Sequence, residues 1–238
     1  MSVRFQDVFT ATDGTTLDAR VPNIGTSWDK HASQAANSIT IVGNKAELAV
    51  TTKTYYKANA SGGSSVGQFV RANMRLESAS QNEQVALMAR FAENTYPNVS
   101  AFGVAIAQTT GGLHELRLIY WNNQDVLAPT TIGAGVDIAA EYDGTAQAVV
   151  AIISESNHHA VFFNGVKRID AIDTSVSSPG AFAGIMGKAQ ATSRAQTWDA
   201  FNWQDIDFVH LSSDLTDEDS EILEQFRLRR TRRRVAWR

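Results

Sequence analysis

Alternation with a period of two, repeated in short segments almost to the end of the chain, is the feature that most restricts the fold. In residues 69–76, Val70, Ala72, Met74 and Leu76 fall on one side and Arg71, Asn73 and Arg75 on the other, the pattern of a strand with one buried and one wet face. Residues 84–91 repeat it with Val85, Leu87, Ala89 and Phe91 inward, and residues 102–107 with Phe102, Val104 and Ile106. Residues 113–121 set Leu116, Leu118 and Tyr120 against Glu115, Arg117, Ile119 and Trp121. Further strands read from residues 3–9, 146–153, 160–163, 166–172 and 181–186. Residues 18–37, with Pro22, Gly25 and Trp28, read as irregular, Trp28 plugging one end of the fold.

Turn chemistry joins the segments. Asn164-Gly165 is the strongest hairpin signal, because both residues tolerate the left-handed φ of a type I′ turn. Gly43-Asn44 joins residues 39–42 to 46–52, and residues 55–58 extend that sheet. Residues 198–208 read as a closing strand, with Trp198, Ala200 and Asn202 on one face and Asp199, Phe201 and Trp203 on the other. Aromatics on both faces place it between two layers. Roughly a dozen short strands with turns between them imply an all-β, antiparallel two-sheet sandwich over residues 1–212.

Residues 213–238 change character. Thr216 with Asp219 three residues on is a capping-box-like start, and a short α-helix reads from about residue 217 to 230, with Ile222, Leu223 and Phe226 as its apolar face. Of the 21 basic residues, seven are Arg227, Arg229, Arg230, Arg232, Arg233, Arg234 and Arg238, in a stretch without an acid. The 14 bases left in residues 1–226 face 25 acids, so the body is −11 and the tail +7. Such a body repels phosphate, which argues against nucleic acid as the main partner. Val235 and Trp237 among the charges favour an acidic protein groove, where arginine pairs bidentately with carboxylates.

With no cysteine, a disulfide framework, a thiolate zinc site and a cysteine nucleophile are excluded. Residues 1–7 lack a signal peptide's basic start and apolar core, and no apolar run approaches the roughly 18 residues of a membrane span. A soluble product made in the cytoplasm, without a membrane partner, is expected.

The succession of Asp13-Gly14-Thr15-Thr16-Leu17, Trp28, the Phe162-Phe163-Asn164-Gly165-Val166 hairpin, Gly184-Ile185 and Trp198-Asp199-Ala200-Phe201 resembles the concanavalin A-like, laminin G-like jelly-roll superfamily over about residues 5–211. The resemblance implies a jelly roll with its first and last strands close together and glycan or protein binding on a concave face or at rim loops. Such a domain with a helix and a compact tail is similar to accessory structural proteins of tailed-phage particles. That likeness implies a non-catalytic virion protein, such as a capsid-decoration or tail-associated protein. It would be multicopy or homo-oligomeric, with Ile222, Leu223, Phe226, the tail arginines and Trp237 anchoring it to other virion proteins. A lectin-like carbohydrate-binding module is the alternative.

The resemblance also suggests sites. Superfamily glucanases carry Glu-x-Asp-x-(x)-Glu on one strand; Glu141-Tyr142-Asp143 begins that way, but Gly144-Thr145-Ala146 follows, so the retaining pair is incomplete. Asp13 and Asp199 match the place of a structural calcium in some members, and are equally a turn residue and an edge residue; no other cofactor is expected. A flat ring beside amides suits a sugar, which makes Trp121 with Asn122 and Asn123, and Tyr55 with Tyr56, the candidate platforms. Large aromatics are more commonly core or interface. His158 and His159 are adjacent on a strand and point to opposite faces, which argues against a shared metal ion.

Overall fold

A computed structural model describes residues 2–206, apart from 32–37, 49–52, 78–82, 96, 110–111, 127 and 190–195. The helix and arginine tail expected at residues 213–238 lie outside the described residues. In chain order the described strands are β1 (Ser2–Asp7), β2 (Ser27–Lys30), β3 (Thr40–Val42), β4 (Lys45–Leu48), β5 (Lys53–Asn59), β6 (Gly67–Leu76), β7 (Gln84–Glu93) and β8 (Asn98–Gln108). They continue with β9 (His114–Asp125), β10 (Thr130–Thr131), β11 (Val136–Asp137), β12 (Ala148–Glu155), β13 (His158–Phe163), β14 (Val166–Ile172), β15 (Phe182–Lys188) and β16 (Gln196–Asp205).

Two antiparallel sheets result. Sheet A runs β14-β13-β12-β6-β16-β4-β3, with β1 also on β16; sheet B runs β10-β9-β8-β7-β15-β5-β2, with β11 on β9. Both turns form their hairpins, with φ of 56° and 61° at Gly43 and Asn44 and 49° and 76° at Asn164 and Gly165. The first and last strands pair directly, Phe5 opposite Trp203. Between the sheets the alternating apolar residues of β6, β7, β8 and β9 interleave in one core.

Three expectations change. Trp28 belongs to a strand, β2, and is packed inside the sandwich against Phe5, Phe9 and Phe201, with ring centroids 4.7 to 6.0 Å apart. Residues 55–58 extend sheet B, not the sheet of the preceding hairpin. The third change concerns facing: β16 has a bulge at Ala200 (φ 49°), where the register with β6 shifts between Asp199 and Asn202. An inserted residue reverses the alternation beyond it, so Trp198, Phe201 and Trp203 all face the core. A bulge at Arg90 (φ 53°) acts likewise on β7 and sends Phe91 to the outer side of sheet B. Gln68 Oε1 accepts the Arg90 backbone N–H at 2.7 Å, and the guanidinium donates to the Ser65 and Ser156 carbonyls, which fixes this bulge.

Candidate functional site

None of the aromatic rings expected to carry a sugar is accessible. Trp121, Tyr55 and Tyr56 are each 0 % exposed. Trp121 lies over Gly103, where a Cβ would come within 2.8 Å of its ring, and its indole N–H donates to the Val126 carbonyl at 2.8 Å. Tyr55 and Tyr56 are adjacent on β5 and so face opposite ways. Tyr55 packs on Phe91 and donates to Glu93 at 3.1 Å. Tyr56 points into the core and donates to Asp18 at 3.4 Å; burial first, and then the Asp18 charge, raise its phenol well above the usual range. Sequence alternation could not reveal this, because sheet B is apolar on both sides.

Asn122 and Asn123 are exposed. They lie at the end of β9, where Asn123 adopts φ 52°. With Asn94, Thr95, Ser100, Ser177 and Ser178 they line a cleft of about 490 Å³. Its frame is hydrogen-bonded. Ser100 Oγ accepts the Asn94 amide at 2.9 Å and the Asn123 backbone N–H at 3.1 Å. Asn122 Oδ1 accepts the Ser177 hydroxyl at 3.2 Å and its backbone N–H at 3.4 Å. Every described lining residue is neutral and hydrogen-bonding, so the cleft suits a ligand rich in hydroxyls. Asn94, Thr95, Ser100, Ser177 and Ser178 escape sequence reasoning. Ser177-Ser178-Pro179-Gly180 reads only as a turn, and no local signal joins it to Asn122, 55 residues earlier.

The acidic candidates are each held by local hydrogen bonds or an ion pair. Glu141 pairs with Arg168 at 2.6 Å in the turn before β12, and Asp143 accepts the Thr145 N–H and hydroxyl at 2.8 and 2.6 Å, bonds that hold its carboxyl below the usual range. Asp13 accepts the Gly43 N–H at 2.9 Å and Asp199 the Ala200 N–H at 2.8 Å. No group of three acidic, histidine or cysteine side chains suited to a metal ion is assembled among the described residues. The anchoring candidates Ile222, Leu223, Phe226, Arg227, Arg229, Arg230, Arg232, Arg233, Arg234 and Trp237 lie outside the described residues.

His158 and His159 do point to opposite faces. His158 pairs with Asp170 at 2.5 Å on the outside, while His159 is buried, stacked on Phe102 at 3.9 Å between ring centroids. Burial first, with the Arg90 charge contributing, pushes the His159 imidazole down to about 4. The unfolded chain, with an ordinary histidine near 6.5, therefore binds the proton first. Stability is full above about pH 6.5 and falls as pH drops toward about 4, by on the order of 3 kcal/mol. Urea midpoints at pH 7 and 4.5 measure this, and His159→Leu should flatten the difference.

No family model matches the chain, and no curated protein matches it. Solved structures do. A legume lectin-like domain from Entamoeba histolytica superposes with a TM-score of 0.52 at 11% identity, over 76% of this chain and 90% of that one. The fold is a concanavalin A-like jelly roll. The β-glucanase of Bacillus licheniformis gives 0.54 at 10% identity, and the pseudo-β-1,3-glucanase of Mycobacterium tuberculosis 0.53 at 11%, each over 87% of this chain and 100% of the other. At these identities the likeness is one of fold.

Proposed function

We propose that this jelly roll is a non-catalytic, lectin-like module that binds a neutral glycan in the rim cleft at Asn122 and Asn123. The observation that carries the reading is the cleft's lining of amides and hydroxyls, with no charged side chain among the described residues. Asn and Ser groups complement sugar hydroxyls as donors and acceptors at once. The similar folds named lectin-like and pseudo-glucanase support it. The non-catalytic part rests on the chemistry: the described lining holds no carboxylate, whereas glycoside hydrolysis uses a pair flanking the bond. The same lining argues against phosphate-bearing ligands, which call for cations.

A glycan array tests the reading. Wild-type protein is expected to retain neutral glycans. Asn123→Gly, which keeps the positive φ while deleting the amide, should bind about 10-fold more weakly, the worth of one lost polar contact. Equal binding by both proteins would remove the cleft from the function.

The +7 end beside a −11 body is the observation behind a second reading, a multicopy virion protein anchored to an acidic neighbour through residues 213–238. The two readings are compatible, since a glycan-binding domain and an anchoring tail occupy different parts of the chain.

A further inference from the structure

Where β1 pairs with β16 the register skips one residue: Val3 stands opposite Gln204 and Phe5 opposite Trp203, which leaves Arg4 as the extra residue of a bulge. A bulge takes its residue out of the alternation and re-aims the side chain. Here the Arg4 guanidinium turns to the buried Asp205, donating from Nε to Oδ2 at 2.6 Å, while the other carboxylate oxygen accepts the Ser64 backbone N–H at 2.8 Å. The two Arg4 Nη groups have no bonding partner among the described residues. Arg4 lines a pocket of about 270 Å³ together with Ile24, Gly25, Thr26, Ala60 and Ser61. Backbone bonds fix its walls: Gln6 and Ile24 exchange N–H and carbonyl at 2.9 and 3.0 Å, and the Thr26 N–H donates to the Asn59 carbonyl at 2.8 Å. Gly62, where a Cβ would come within 3.3 Å of Arg4 Nη1, leaves the guanidinium its room.

We propose that this pocket is a second ligand site, taking one carboxylate carried on a hydroxylated molecule, the chemistry of a uronic acid. The paired Nη groups match a carboxylate bidentately. Thr26 and Ser61 each offer a hydroxyl, donor and acceptor at once, to the hydroxyls beside that carboxylate, and Ile24 and Ala60 give the pocket an apolar wall. Asp205 decides the charge of the ligand. It already offsets the one cation of the site, so the pocket suits a monoanion. A phosphate dianion calls for more cations, and the −11 body opposes it. The volume falls just below the roughly 300–1,000 Å³ of small-molecule clefts, which restricts the ligand to one sugar-sized unit. No lining residue is shared with the cleft at Asn122 and Asn123, so the site stands independently of glycan binding there.

Titration of isotopically labelled full-length protein with sodium glucuronate, at constant ionic strength, tests the site. The Arg4 Nε–H and the backbone amides of residues 24–26 and 60–63 are expected to shift, with those of Asn122 and Asn123 unmoved. Glucose should shift none of them, and acetate should bind about 10-fold more weakly for want of the hydroxyl contacts. Arg4→Gln should weaken glucuronate by about 10-fold or more, the worth of a charge-assisted contact. Thr26→Val, which keeps the cation and the shape, should weaken it several-fold. No shift at saturating glucuronate, shifts confined to other residues, equal binding of glucose or acetate, or a titration of either variant identical to wild type would each overturn the proposal. Residues 24–26 and 60–63 report on this pocket and residues 122–123 on the rim cleft, so failure of one site is read apart from failure of the other.

Discussion

Asp7→Ala is expected to destabilise the fold by about 3–5 kcal/mol, the cost of breaking a buried ion pair from one side. Asp7 is wholly buried at the end of β1 and accepts four donors: the Arg20 Nε at 2.8 Å, the Arg20 Nη2 at 2.5 Å, the Trp28 indole at 2.8 Å and the Phe9 backbone N–H at 2.8 Å. The Arg20 side chain is only 7 % exposed, so alanine strands a buried cation and leaves the indole N–H without an acceptor. The carboxylate also ties together β1, the loop holding Arg20 and β2, which are distant in sequence. Urea unfolding measures the loss. Adding Arg20→Met should restore part of it by removing the orphaned charge, a coupling that a double-mutant cycle reads directly. A single-mutant loss under 1 kcal/mol would mean that water reaches this pair.

Trp121→Ala should cost about 3–5 kcal/mol through the cavity it leaves, without a selective loss of glycan binding by the folded protein. The ring fills the space over Gly103 and anchors the turn at Val126. Thermal or urea unfolding, with glycan affinity measured on the same sample, separates a core tryptophan from a sugar platform. Wild-type stability with binding abolished would assign the ring to the ligand instead.

The contrast between Trp121 and its neighbours shows what the sequence makes legible. Period-two alternation and the Gly43-Asn44 and Asn164-Gly165 turns define strands and hairpins, because a type I′ turn leaves few residue choices. Facing is legible only until a bulge intervenes. Arg90 and Ala200 take left-handed φ without being glycine, and each reverses the alternation that follows. The sequence marks Asn122 and Asn123 as polar companions of an aromatic, but their actual companions are Ser100, Asn94 and Ser177. That group is assembled by strand pairing and by a loop from the far side of the chain, which no local pattern encodes. Trp121 and Tyr55 misled because an outer face of a sheet is ordinarily wet, and this one is buried.

Glycan binding at the rim is tested most directly by titrating a hit from the array into isotopically labelled protein and following backbone amide shifts. Perturbations are expected at residues 94–100, 122–123 and 177–178, reduced in Asn123→Gly. Shifts centred on any other surface, or none at saturating sugar, would contradict it.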